Sequence, residues 1–107
     1  MKEAKKKRLQ KRGWAVGDAR DFLGLSDEEA TFLEFKLALA RNLKTRRQRS
    51  HLSQSQLAKL LGSSQSRVAK MEAADRTVSV DLLMRALLRL GTSRRDLARL
   101  IENPRAA

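Results

Sequence analysis

Gln65, Ser66 and Lys70 belong to the octet SQSRVAKM, residues 64–71, and a near copy, SQSQLAKL, stands eleven positions earlier at residues 53–60. Helical spacing puts Gln65, Ser66, Ala69 and Lys70, at i, i+1, i+4 and i+5, on one outward face, with Val68 and Met71 turned the other way. The groups on that face are an amide, a hydroxyl and an ammonium, which suit recognition by hydrogen bonds. They do not suit catalysis. The chain has one His, no Cys and no Tyr. Disulfides and thiolate metal sites are therefore excluded, and few groups remain for acid–base work. No metal cluster, nucleophile–base pair or phosphate-cradling Gly loop is visible among the five Gly. No cofactor and no metal are expected, and an enzyme is the reading with least support. His51 reads as a turn residue.

The repeat is explained by the elements that carry it. Ser53 is a good N-cap and Gln56 completes a capping box with it, so a helix is expected from Gln54 to about Leu61. Gly62 stops it, because Gly adopts the left-handed conformation at a helix end without steric cost. Ser64 caps a second helix, expected over residues 65–73. An unbroken helix with an eleven-residue period is the rival. It would bury Gly62 in a helix interior at about 1 kcal/mol and place two serines where they are poor formers.

Upstream, Ser26 with Glu29 forms another capping box. From there to about Arg49 nothing breaks a helix. Its broad apolar stripe includes Phe32, Leu33, Phe35, Leu37, Leu39, Ala40 and Leu43, and its last turns are basic. Downstream, Ser79 or Asp81 caps a helix to about Leu90, with Val80, Leu83, Met84, Leu87 and Leu88 at helical spacing. Gly91 ends it. Thr92 or Ser93 caps a last short helix with Leu97, Leu100 and Ile101 on one face, and Pro104 lies beyond it. No strand pattern is present. The expected fold is all-α, a bundle of five or six helices around a central pair of short ones.

The 107 residues allow one small domain with a modest core. The formal net charge is +12, with 24 Lys and Arg against 12 Asp and Glu. That balance points to a polyanion, most simply nucleic acid, although an anionic membrane surface would also satisfy it. Residues 1–12 carry +6, residues 13–40 carry −4 and residues 41–107 carry +10. Residues 1–12 cannot bury a face and read as a basic disordered tail, either solvated or reaching phosphates. Residues 13–30 read as a leader with a short helix near residues 18–23, Trp14 serving as a packing residue. Residues 31–107 read as the main domain. No apolar run suits a membrane span or a signal peptide, so a soluble, cytoplasmic protein is expected.

Two helices joined by a tight turn containing Gly form a helix-turn-helix unit. Residues 52–72, LSQSQLAKLLGSSQSRVAKME, resemble the helix-turn-helix of the phage-repressor and Cro-like, or Xre, family. The resemblance covers about residues 30–91 and implies a bacterial or phage origin. The leader DFLGLSDEEA, residues 21–30, is similar to that of HigA-type antitoxins. In such a unit the second helix enters the major groove of double-stranded DNA. Gln65, Ser66, Ala69 and Lys70 would then face the bases. Gln suits adenine N6 and N7, Lys suits guanine O6 and N7, and Ser suits either. Arg67 flanks this face toward a phosphate. The resemblance implies a phosphate contact for Gln54, and places Arg76 and Thr77 in a loop that touches the backbone. Ser64 and Arg47 complete the candidate phosphate contacts. The resemblance also pairs Arg47 with Glu72. Where the family has Gly after the second helix, this chain has Ala74. A left-handed Ala there costs about 1 kcal/mol, unless residues 73–78 take another path.

The leading expectation is a sequence-specific transcriptional regulator, a repressor of its own operon acting as a homodimer. Val80, Leu83, Met84, Leu87, Leu88, Leu97 and Ile101 would form the dimer surface, the alternative being that they are the monomer's core. A second reading adds a toxin protein as partner, the chain being an antitoxin whose acidic segment meets a basic toxin. A third is a non-specific basic coat for nucleic acid, with affinity set by salt.

Overall fold

The computed structural model describes Gly24 and residues 26–106. The expected tail over residues 1–12 and short helix near residues 18–23 lie outside the described residues. Two units are distinguished along the chain, Met1–Glu34 and Phe35–Ala107. The division falls inside the first helix, α1, Asp27–Arg49. In the first unit α1 begins with the expected capping box. Ser26 Oγ accepts from the Glu29 N–H, and the Ser26 N–H reaches back to Glu29 Oε1.

The second unit is helical throughout, and no strand occurs among the described residues. After α1 come α2, Gln54–Leu61, α3, Gln65–Glu72, α4, Val80–Arg89, and α5, Arg94–Glu102. A 3-10 turn, Pro104–Ala106, follows α5. Four serines start four of these helices by one device. Ser53, Ser64, Ser79 and Ser93 sit in extended backbone and accept the N–H three residues on. Each satisfies a donor that a helix start otherwise leaves unpaired, contributing about 1 kcal/mol. Ser53 with Gln56 and Ser93 with Asp96 add the reciprocal bond.

The ends of α1 to α4 also share one device. Leu52 N–H bonds Arg47 O, Ser63 N–H bonds Ala58 O, Asp75 N–H bonds Lys70 O and Thr92 N–H bonds Leu87 O. In each case the intervening residue is left-handed, as a Schellman ending requires. Gly62 and Gly91 meet that need freely, at φ 64° and 92°. His51 and Ala74 meet it with a Cβ, at φ 56° and 52°. The left-handed turn after α3 is therefore kept, and Ala74 carries its strain.

The core joins Leu39 and Leu43 of α1, Leu57 of α2, Val68 and Met71 of α3, Leu83 and Leu87 of α4, and Leu97 and Leu100 of α5. Each fully buried Leu contributes about 2 kcal/mol. This placement corrects part of the proposed dimer surface. Leu83, Leu87 and Leu97 are buried within the monomer, and Val80 and Met84 pack against the same core. Only Leu88 and Ile101 of that set stay exposed, at 48% and 55%. Ile101 lies one step round the helix from Leu100, which swings it off the buried face. Two polar ties hold α1 to the C-terminal end. Arg46 bonds Asp96 at the start of α5, and Arg41 donates to Pro104 O.

Exposed His51→Gly should relieve left-handed strain that exceeds the entropy cost of Gly. The expected gain is about 0.5–1 kcal/mol, raising Tm by roughly 4 °C. Ala74→Gly should gain less, because Ala74 also packs on the core. A lower melting temperature for His51→Gly would contradict the strain argument.

Candidate nucleic-acid interface

The centre of the site is a largely covered guanidinium. Arg47 Nε donates to Glu72 Oε2 at 2.6 Å and a terminal nitrogen donates to Glu72 Oε1 at 3.1 Å. The other terminal nitrogen donates to Leu52 O at 2.8 Å. One side chain of α1 thus holds the end of α3 and the residue just before the α2 cap. The side chains of Arg47 and Glu72 are only 12% and 3% exposed. The hydrogen bond to Glu72 raises the Arg47 pKa above its ordinary value; burial opposes that rise and the Coulomb attraction adds to it. With its donors turned inward, Arg47 is withdrawn from the set of phosphate contacts. Geometry and burial commit it to Glu72.

The carboxylate passes the constraint on. Gln54 Nε2 donates to Glu72 Oε1 at 3.1 Å, and Gln65 Nε2 donates to Gln54 Oε1 at 2.7 Å. A continuous chain of hydrogen bonds runs from α1 through the end of α3 and the first residue of α2 to the first residue of α3. It fixes both amides. Gln65 keeps one N–H and its carbonyl oxygen free, which is the donor–acceptor pair a planar base edge matches. Gln54 keeps one N–H.

Ser66 and Lys70 are exposed beside Gln65, and Ala69 between them is half-buried. Arg67 is exposed on the flank. Ser64 Oγ accepts from Arg67 N–H and lies 3.4 Å from Ser66 Oγ, so the two hydroxyls share a hydrogen bond. The loop after α3 is pinned. Lys36, buried at 9% exposure, donates to Asp75 O at 2.9 Å. Asp75 in turn accepts the Thr77 N–H and the Thr77 hydroxyl. These bonds from Thr77, the hydroxyl foremost, hold the Asp75 carboxyl below its usual pKa. They also remove Thr77 from the phosphate contacts, because neither of its donors is free. Arg76 stays exposed at the tip. Asp96 is held low in the same way, first by the Ser93 N–H and then by the Ser93 hydroxyl.

Lys36 escaped sequence reasoning, although a signal was present. It stands in phase with Leu39, Ala40 and Leu43, at i, i+3, i+4 and i+7 on the buried stripe. No group of acidic or His side chains able to hold a metal occurs among the described residues. No described helix is long and apolar enough to cross a membrane.

Two short capped helices, a Gly turn, and a second helix with a polar outer face define a helix-turn-helix DNA-binding protein. A family model described as helix-turn-helix matches residues 43–97, which takes in all of α2, α3 and α4. The chain belongs to that family, of the Xre and Cro-like kind, and is a DNA-binding transcription regulator. The family is regulatory and generally not enzymatic. No curated protein and no solved structure matches the chain.

Glu72→Ala strands the Arg47 charge in a nearly dry site. The expected loss is about 3 kcal/mol of stability, with DNA affinity falling alongside it. Chemical denaturation and a binding titration on the same samples check this. Unchanged stability with lost binding would show that Glu72 acts at the DNA and not in the frame.

Proposed function

We propose that the protein is a sequence-specific repressor of its own operon, bound to DNA as a homodimer. In this reading α3 lies in the major groove, with Gln65, Ser66, Ala69 and Lys70 at the base edges. The observation that carries it is the bond from Gln65 to Gln54. An amide already held in place loses less freedom on meeting adenine than a solvated one does. Half-buried Ala69 brings no long side chain between helix and bases. Gln54, Arg67 and Arg76 each keep a donor for a phosphate, and Ser64 caps the helix beside them. A helix of eight residues covers few base pairs. Two copies reading half-sites about 10 bp apart supply the rest. Exposed Leu88 and Ile101 are the apolar side chains from which the homodimer contact is built.

The test is a fluorescence-anisotropy titration of a duplex from the gene's own upstream region against an unrelated duplex of equal length. Wild type should prefer the first by about 10³-fold or more at near-physiological salt. Gln65→Ala/Lys70→Ala should remove that preference while keeping the salt-dependent background. Arg76→Ala should weaken both duplexes alike and reduce the salt slope by about one per half-site. Leu88→Asp/Ile101→Asp should sediment as a monomer where wild type sediments as a dimer. Equal, salt-steep binding of wild type to both duplexes would replace this reading with a non-specific coat.

A further inference from the structure

The flank of α3 that does not meet Glu72 has a different character. Arg67 stands five residues before Glu72, which places it about 140° round the helix. There it borders a groove between the end of α2, the turn and α4. The floor is apolar, made by Leu61, Met71, Leu82 and Ala86. Arg67, Arg85 and Arg89 line its rim, and all three are exposed. Arg67 and Arg89 have no acidic partner among the described residues. Arg85 pairs only with Asp81, at 3.1 Å, and both of those side chains are more than 70% exposed. Such a pair is weak and readily exchanged.

The arrangement is unfavourable in isolation. Arg85 and Arg89, at i and i+4, repel on one helix face. Ser63 Oγ, buried at the edge of the groove, has no hydrogen-bond partner. Three cations around an apolar floor are complementary to an acidic chain that also carries a large apolar side chain.

We propose that this groove docks a short acidic segment of a partner protein, with one apolar side chain against half-buried Leu61 and Leu82 and carboxylates on Arg85 and Arg89. A phosphate backbone would satisfy the rim and gain nothing from the floor. A peptide satisfies both. Its apolar anchor gives the specificity that charge alone lacks in a chain of net charge +12.

The probe is a fluorescein-labelled peptide, Glu-Asp-Leu-Leu-Glu-Asp, titrated with the full chain and followed by anisotropy. The control peptide has Ser in place of both Leu and the same charge. Wild type should bind the Leu peptide about tenfold or more tightly than the Ser peptide, the worth of one buried Leu side chain. Arg85→Gln/Arg89→Gln should lose about tenfold of that binding with its melting temperature and helical circular dichroism unchanged. Equal binding of the two peptides by wild type would overturn the proposal, leaving bulk charge. Full peptide binding by the double variant would overturn it as well. A loss of DNA affinity in that variant as large as its loss of peptide affinity would assign the groove to the duplex instead. The peptide arms contain no DNA, so their failure leaves the operator reading standing, and the reverse also holds.

Discussion

The guanidinium of Arg47 is the point from which the geometry of the helix-turn-helix hangs. It reaches three parts of the chain at once: its own helix α1, the approach to α2 through Leu52 O, and the end of α3 through Glu72. Removing two charges from water is costly, and an apolar pair of similar volume would be as stable or more so. Two Leu side chains would have filled the space. They would not have fixed an amide. Glu72 accepts from Arg47 and Gln54 together, and Gln54 accepts from Gln65. The ion pair therefore contributes direction more than stability. It converts a buried charge into a defined orientation at the first residue of α3.

The loop after α3 works on the same principle with different atoms. Ala74 sits in a backbone region that a side chain disfavours, and it stays there because its neighbours leave no alternative. Asp75 N–H is bonded to Lys70 O, and Asp75 O takes both Val78 N–H and the Lys36 ammonium. Strain persists where the surroundings over-determine a conformation. Burying Lys36 is costly unless its ammonium is bonded, and a carbonyl beside the end of α3 supplies that bond. The cost purchases a loop whose exposed tip, Arg76, is held in place before any ligand arrives.

Much of this frame was legible because its signals are local. A serine that caps a helix and a glycine that ends one act within five residues, so Ser53, Gly62 and Ser64 place α2 and α3 almost to the residue. The pairing of Arg47 with Glu72 was legible only through resemblance, since 25 residues separate them. What failed to show was competition for a side chain's donors. Arg47 and Thr77 are residues that commonly bind phosphates, and nothing in spacing reveals that Glu72 and Asp75 already occupy them. The apolar face of α4 was legible as a face, but periodicity cannot say whether the same chain or a second copy covers it. Burial of Leu83 and Leu87 shows that the same chain covers most of that face, and Leu88 at its edge stays exposed.

The eight residues of α3 then divide by angle. Val68 and Met71 face the core, and Glu72 closes the frame. Gln65, tied to Gln54, begins the outer face that Ser66 and Lys70 continue. Ala69, small and half-buried, sits where a longer side chain would hold the helix away from whatever it meets. Arg67 stands on the rim of the groove beside α4, with Met71 beneath it. A helix so short has no position to spare. Any change at Val68 or Met71 disturbs the packing that sets the outer face, whereas a change at exposed Ser66 or Lys70 alters the chemistry of that face and leaves its placement intact. Packing thus separates the residues of α3 that fix its placement from those that only decorate its outer face, and the Arg47–Glu72–Gln54 frame is what makes that separation possible.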